Sequence, residues 1–406
     1  MKNCCRACGS KIFKIINICK TPLCDLYTIK KNNLSVRYSL NIYFCKNCNL
    51  IQLNDVVKPD KIYKKYLYKT SHSIDLKKHF KDYAKRVHKL GFLNKNSKIL
   101  DIGCNDGTFL NFFKKKNYDV VGVDPASNIA KECKLKNIKL INDYFSNKVV
   151  KKFNKEKKSF DVIFTNNTIA NIPKLKNFFK NIIKILNNEG TFIFETINGP
   201  NLLSDFQVDM LNNEHIYYFS VASVKKICEL NNLELVYLEK IKTKGGSYRF
   251  YIKKKIASKK LKILNKKLIN RIITLENKKG FLNIKRMRLL GNKFHIRKLK
   301  VLNFINKYRD EKLYAYGASG PATSMIYFYK LENKISKLVD DNPLRIGRYS
   351  PGSSIKVISS NKLIENKAKF VIILAWRFTK EIVLKNRNYI KQGGKFICIH
   401  PKIKII

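Results

Sequence analysis

From Lys98 the chain alternates short apolar runs with amphipathic stretches, and this pattern constrains its fold more than any other feature. KILDIGC, DVVGVD, IKLIND, FDVIFTN and GTFIFET are each short, apolar and flanked by turn residues, as strands buried on both faces should be. Stretches with helical spacing, such as Thr108–Lys116 and Asn177–Leu186, lie between them. Strands that alternate with helices must run parallel, because each crossover returns the chain to the same edge. The expectation is an α/β, Rossmann-like parallel sheet. A second pattern of this kind begins at Leu313 with KLYAYGASGPATS, SKLVDDNP, KFVIILAW and KFICIHP. Between the two lie strand pairs at LELVYLEKI and SYRFYIKKK, then a Pro-free, Lys-rich region (255–309) apolar at helical spacing.

The front differs. Cys5-Arg-Ala-Cys8 and Cys45-Lys-Asn-Cys48 are two CxxC knuckles separated by β-like runs at Lys11–Ile16 and Val36–Phe44. Each knuckle offers two thiolates from one tight turn, so the pairs predict a closed tetrahedral zinc site with a structural role. Cys4 could stand in for Cys5, but the spacing favours Cys5. An amphipathic helix is expected over His72–Leu90. The expected modules are therefore a zinc front at 1–70, a sheet domain at 71–250, and helices plus a second Rossmann-like unit at 251–406.

At 406 residues the chain suits two or three domains. Its 45% hydrophobic and 12% aromatic content supports sizeable cores. No apolar run approaches the roughly eighteen residues a membrane span needs. With no signal-like start, a cytoplasmic protein without membrane partners is expected. The eleven cysteines then read as metal ligands and buried small hydrophobes, not disulfides. The net charge of +54 invites a nucleic-acid partner. However, the lysines run through the whole length together with Asn and Ile, all three encoded by AT-rich codons. Base composition explains them, and nucleic acid is not the expected partner. The charge should still attract anionic ligands.

Four constellations point to chemistry. Asp101-Ile-Gly103-Cys-Asn105-Asp106-Gly107 closes the first strand of the sheet. Its glycines let the backbone approach a ligand at the head of the next helix, and its carboxylates can take hydroxyl or ammonium groups. Asp124 ends the second strand, where a carboxylate would hold a ribose diol. The absence of GxGxxG lowers a nicotinamide reading. Next, Asn212-Asn213-Glu214-His215-Ile-Tyr217 offers a His beside a Glu, a candidate general base near neutral pH; a satisfied loop histidine is the alternative. Finally, Gly245-Gly246-Ser247-Tyr-Arg249 and Tyr316-Gly-Ala-Ser319-Gly-Pro321 are turns suited either to phosphate contact or to turn formation alone.

In order and spacing these motifs resemble the zinc-containing sugar C-methyltransferases, class I enzymes that use S-adenosylmethionine (SAM) on nucleotide-linked keto-deoxysugars. The resemblance runs from the paired CxxC front through TPLCDLY, YLYKTSHS, IGCNDGTFL, VGVDPASNIA, NEHIYYFS and GGSYRFY. It continues through YGASGPATS, DDNP, YSPGSSIKV, ILAWRFTKEI and GGKF. It implies SAM and a structural zinc as cofactors. The cofactor would be held by Asp101, Gly103, Asn105, Asp106, Gly107, Asp124 and Asn166. His215 would be the base, with Glu214 beside it. Tyr68, Asn171, Asn212, Tyr217, Arg249 and Ser319 would face the substrate. The reaction implied is removal of a proton next to a ketone, then transfer of a methyl group to the resulting carbanion. Two positions depart from the family: Asn212 stands where Tyr is common, and Asn171 where His is common. Asn can donate to an enolate oxygen but cannot exchange a proton at pH 7. O- or N-methylation of another acceptor, a catalytically dead scaffold and a basic zinc protein on nucleic acid are the alternatives.

Overall fold

A computed structural model describes residues 3–31, 36–63, 69–256 and 263–406, apart from the Lys244 side chain. Tyr68 therefore lies outside the described residues. The described residues form three sheets of four, seven and six strands. The front strands are β1 (Ile12–Thr21), β2 (Tyr38–Cys45) and β3 (Ile51–Leu53). The central strands follow as β4 (Lys98–Ile102), β5 (Asp119–Val123), β6 (Lys139–Ile141), β7 (Phe160–Asn166) and β8 (Leu186–Ile197). A two-residue strand, β9 (Tyr217–Tyr218), precedes β10 (Leu233–Ile241) and β11 (Ser247–Lys254).

The central sheet has the order β10-β11-β8-β7-β4-β5-β6. Strands β4 to β8 are mutually parallel, and β11 runs antiparallel between β8 and β10. The direction changes at β4, between β5 and β7, so the crevice for a ligand lies beyond the carboxyl ends of these strands. The helix Ile74–Lys89 packs Phe80, Tyr83 and Val87 onto one face of the sheet. The helix Leu175–Ile185 covers the other with Phe178, Phe179 and Ile182.

The front sheet has the order β1-β2-β3-β9. Its fourth strand is thus supplied by the segment directly after His215. The C-terminal strands are β12 (Leu313–Tyr316), β13 (Ile335–Val339), β14 (Val357–Ile358), β15 (Phe370–Ile373), β16 (Lys395–Cys398) and β17 (Lys404–Ile405). Their order, β14-β13-β12-β15-β16-β17, is parallel except for β17. This is the second Rossmann-like unit expected from the sequence.

The Lys-rich region forms the helices Lys266–Lys278 and Ile284–Asn306. The second lies on β1 at Gly291, where an added Cβ would come within 2.5 Å of the Ile15 carbonyl oxygen. One apolar core joins β1–β3, the segment Leu202–Tyr218, this long helix and one face of the C-terminal sheet. Another joins Cys5, Cys45 and Cys48 to the central sheet. Among the described residues no helix is long and apolar enough to cross a membrane.

Candidate active site and metal centre

The four knuckle cysteines converge, with all their sulfurs within 4.8 Å of one another. The Cys5–Cys48 and Cys8–Cys45 sulfur pairs stand at 3.5 Å. A tetrahedral ZnS4 site with bonds of about 2.3 Å sets its sulfurs roughly 3.8 Å apart, so the cluster has the dimensions and the donor set of a zinc site. Gly9 and Asn49, each directly after its CxxC pair, both adopt positive φ, the local cost of folding a chain into such a knuckle. The Gln52 side-chain amide donates to Cys5 Sγ at 3.2 Å and accepts from the Arg6 backbone N–H. That bond orients a thiolate as a second layer of contacts should. All eleven cysteines are free.

A cavity of about 640 Å³ opens at the carboxyl ends of β4, β5 and β7. On one side lies the loop after β4, where Gly103, Asn105 and Gly107 all have positive φ. A Cβ at Gly103 would fall 2.3 Å from Thr168 Oγ1, so only glycine lets this loop pass the turn after β7. Asp124 accepts backbone N–H bonds from Asn105 (2.9 Å) and Ala126 (3.0 Å) and faces the cavity. Burial pushes the Asp124 carboxyl above its ordinary range despite those two donors.

Asp101, 3% exposed, is pushed well up by burial and then by the Asp124 charge. Among the described residues its Oδ1 has no partner, and the same holds for both amide atoms of Asn166 and for Oδ1 of Asn171. All three residues line the cavity. A cluster of buried, unpaired polar atoms beside a glycine loop is what a polar, partly cationic ligand would satisfy, and SAM carries the ammonium and ribose diol to do so.

His215 and Glu214 line the same cavity. The ring atom Nδ1 of His215 lies 3.1 Å from the Met210 carbonyl oxygen. A carbonyl can only accept, so Nδ1 carries the proton and Nε2 is the basic nitrogen. Asn212 Oδ1 accepts from the backbone N–H groups of Glu214 and His215, folding the segment into a tight turn. Asn213 ties the turn to the front module through Thr21 Oγ1 and the Pro22 carbonyl. Asn171 joins the wall because the Ile216 N–H donates to the Ala170 carbonyl at 2.7 Å.

Other residues singled out in the sequence lie elsewhere. Asp106 is buried outside the cavity lining and accepts from the backbone N–H groups of Ser71 and Thr108. Gly107 sits at the head of the helix Thr108–Lys114. Tyr217 is buried, its hydroxyl donating to the Pro173 carbonyl. Ser319 caps the helix Gly320–Phe328 of the C-terminal unit. Arg249 is 3% exposed, bonded to Glu195 and Glu239 over the Tyr83 ring. Its charge is consumed internally and leaves none for a phosphate. Burial alone would raise the Glu195 carboxyl, but His79 and Arg249 hold it below its usual range.

Among the described residues the cavity walls come from the central domain and from Pro59, Tyr63 and Thr70 of the front, with no lining residue beyond His215. The carboxyl ends of the C-terminal strands do not reach it. Sequence reasoning missed Asn181, which lines the cavity from the apolar face of the helix Leu175–Ile185. The signal was available, since Asn181 is a polar residue in phase with Phe178, Ile182 and Ile185.

The seven-stranded order with one antiparallel strand, and a glycine loop and acidic strand end at the switch point, define a class I SAM-dependent methyltransferase. Family models match in succession: the zinc binding domain (5–63), the methyltransferase domain (76–238) and the C-methyltransferase C-terminal domain (242–401). Together these three matches run through most of the chain, which is thus similar along its length to C-methyltransferases with a zinc binding front. It is 22% identical to the C-methyltransferase NovU of Streptomyces niveus over 99% of this chain and 96% of that protein. Among solved structures, the PH0226 protein of Pyrococcus horikoshii is 18% identical, with 49% of this chain and 100% of that one covered and a TM-score of 0.36. The CcbJ methyltransferase of Streptomyces caelestis is 12% identical, with 44% and 90% covered and a TM-score of 0.35. Likenesses that low carry no argument; the fold rests on the strand order itself.

Proposed function

We propose that the protein methylates a carbon next to the ketone of a nucleotide-linked keto-deoxysugar, with His215 as general base. The observation that carries this reading is a histidine with Nδ1–H held by a carbonyl, on the wall of the cavity that holds the glycine loop. Asp101, Gly103, Asn105, Asp124 and Asn166 would hold the cofactor; Asp106 and Gly107 would shape the loop from behind. When bound, SAM supplies an electrophilic methyl group.

The chain's own residues do the rest. His215 Nε2 takes the proton from the carbon next to the ketone, becoming imidazolium, with the Glu214 carboxylate next in sequence. The Asn171 amide donates to the oxygen on which the enolate charge gathers. The buried walls keep water from the carbanion, whose new bond to the methyl carbon would form as that carbon's bond to the sulfonium sulfur breaks, with S-adenosylhomocysteine as the leaving group. The role of Asn212 is to fold the turn that carries His215, which differs from contact with substrate. The C-methyltransferase name of the NovU relative and the C-methyltransferase C-terminal domain support methylation at carbon. A cytoplasmic setting accords with eleven cysteines none of which is in a disulfide.

The test is mass spectrometry on a panel of nucleotide-linked keto-deoxysugars with SAM. A ketone-dependent gain of one methylene on carbon is expected. His215→Ala should lower kcat about 10²–10⁴-fold with SAM binding unchanged. Methyl transfer to oxygen or nitrogen without need of a ketone would replace this reading, and full turnover by His215→Ala would remove the base.

A further inference from the structure

Although the C-terminal unit supplies no wall of the cavity, one of its side chains reaches the support of the base. Arg377 lies in the turn Trp376–Phe378, just after β15. Its guanidinium donates one bond to Asp209 Oδ2 and a second, of 2.8 Å, to Gln207 Oε1. Asp209 is 2% exposed, and breaking a buried ion pair by removing one partner is strongly destabilising. Among the described residues Arg377 is the cation that pairs with it.

Asp209 is the middle residue of the single turn Val208–Met210. The next carbonyl, that of Met210, is the one that accepts the His215 Nδ1–H bond. The helix Gly320–Phe328 of the same C-terminal unit packs against this turn. Arg377 is itself held in place, 4.2 Å over the Trp376 ring, which in turn packs edge-on against His400 after β16. From the other side Gly245 closes over the pair. A Cβ there would meet Gln207 Oε1 at 2.8 Å and Arg377 Nη2 at 3.3 Å.

We propose that Arg377 is a positioning residue for His215. Through Asp209 and Gln207 it fixes the turn whose carbonyl sets the tautomer and aim of the imidazole, so the C-terminal unit tunes a site it does not line. The catalytic part of this statement rests on His215 being the base; the structural part does not. Without the guanidinium, Asp209 and Gln207 lose the group that ties them together, and the turn Val208–Met210 loses its anchor. A shift of the Met210 carbonyl follows, and displacement of a reacting group by about 1 Å can cost on the order of 10²-fold in rate.

The experiment uses the full chain with ¹⁵N-labelled histidine, comparing wild type, Arg377→Ala and Arg377→Lys. Nitrogen shifts of His215 report its tautomer without substrate; kcat, KM and SAM affinity are measured beside them. In Arg377→Ala, loss of the single Nδ1–H tautomer and a roughly 10²-fold lower kcat are expected, with SAM affinity within about twofold. Arg377→Lys keeps the charge but cannot bridge both acceptors, so it should recover part of kcat. If Arg377→Ala does not fold, Arg377→Lys carries the same two readouts. An unchanged His215 tautomer with unchanged kcat, whatever happens to Tm, overturns the proposal. If His215→Ala were fully active the base reading would fall, while the tautomer measurement would still decide whether Arg377 orients the ring.

Discussion

Asp101, near the end of β4, lines the cavity with one carboxylate oxygen that has no partner among the described residues. Burial lifts its pKa above the ordinary carboxylate range. A cationic ligand binds the ionised form, so proton and ligand compete. Binding is therefore strongest above the raised pKa and weakens as the pH falls through it, at a higher pH than an exposed aspartate would cause. Calorimetric titration of SAM across pH 5–8 should show this decline. Asp101→Asn should flatten it and weaken binding roughly 10–100-fold, the worth of about 1.5–3 kcal/mol for a charged hydrogen bond. How far such residues are legible in sequence depends on whether the role leaves a mark on residue type. The Gly103 loop does, because positive φ and a 2.3 Å clash exclude a Cβ. Arg249 does not: an arginine entering a strand reads the same whether it faces a phosphate or Glu195, 54 residues earlier. His79 and Asn181 matter only through partners and phase that appear once the sheet is assembled.

At the scale of elements, the helix Val221–Leu230 begins with a double cap. Ser220 and Ser223 bond reciprocally, and Glu276, from the helix Lys266–Lys278, accepts the N–H groups of Val221 and Ala222. Those bonds and the helix dipole favour the carboxylate, yet burial outweighs them and raises Glu276 to about 7. The folded state thus holds this proton more tightly than the unfolded chain does. The associated stability is complete below about pH 4.5 and is lost as pH rises through about 7, up to about 3 kcal/mol in all. Thermal unfolding of Glu276→Gln should show a flatter dependence of Tm on pH between 4.5 and 7 than wild type; equal slopes would refute the assignment. Strands and helices with a full period were readable from sequence because burial on one or both faces repeats along them. The two-residue β9 was not, since its strand character comes from pairing with β3.

For the whole molecule, the apolar cores cross the sheet boundaries. Cys5, Cys45 and Cys48 share a core with the central sheet, and β1–β3 share one with the C-terminal sheet. Unfolding should therefore be one cooperative transition, in contrast to three independent ones. Because a closed zinc site contributes directly to folding, removing the metal with a chelator, or Cys45→Ser, should lower the entire transition by at least about 5 °C. Differential scanning calorimetry checks this, and a separate low-temperature peak for the front alone would contradict it.

The same pairing sets an order of events during synthesis. The ribosome makes β1, β2 and β3 early, but their sheet gains its last strand only when Tyr217 and Tyr218 have emerged. Until then β3 presents an unpaired edge to the crowded cell, which is where a nascent chain is open to wrong partners. Zinc captured by the two knuckles would hold the hairpin in register during that wait, giving the metal a task in time as well as in space.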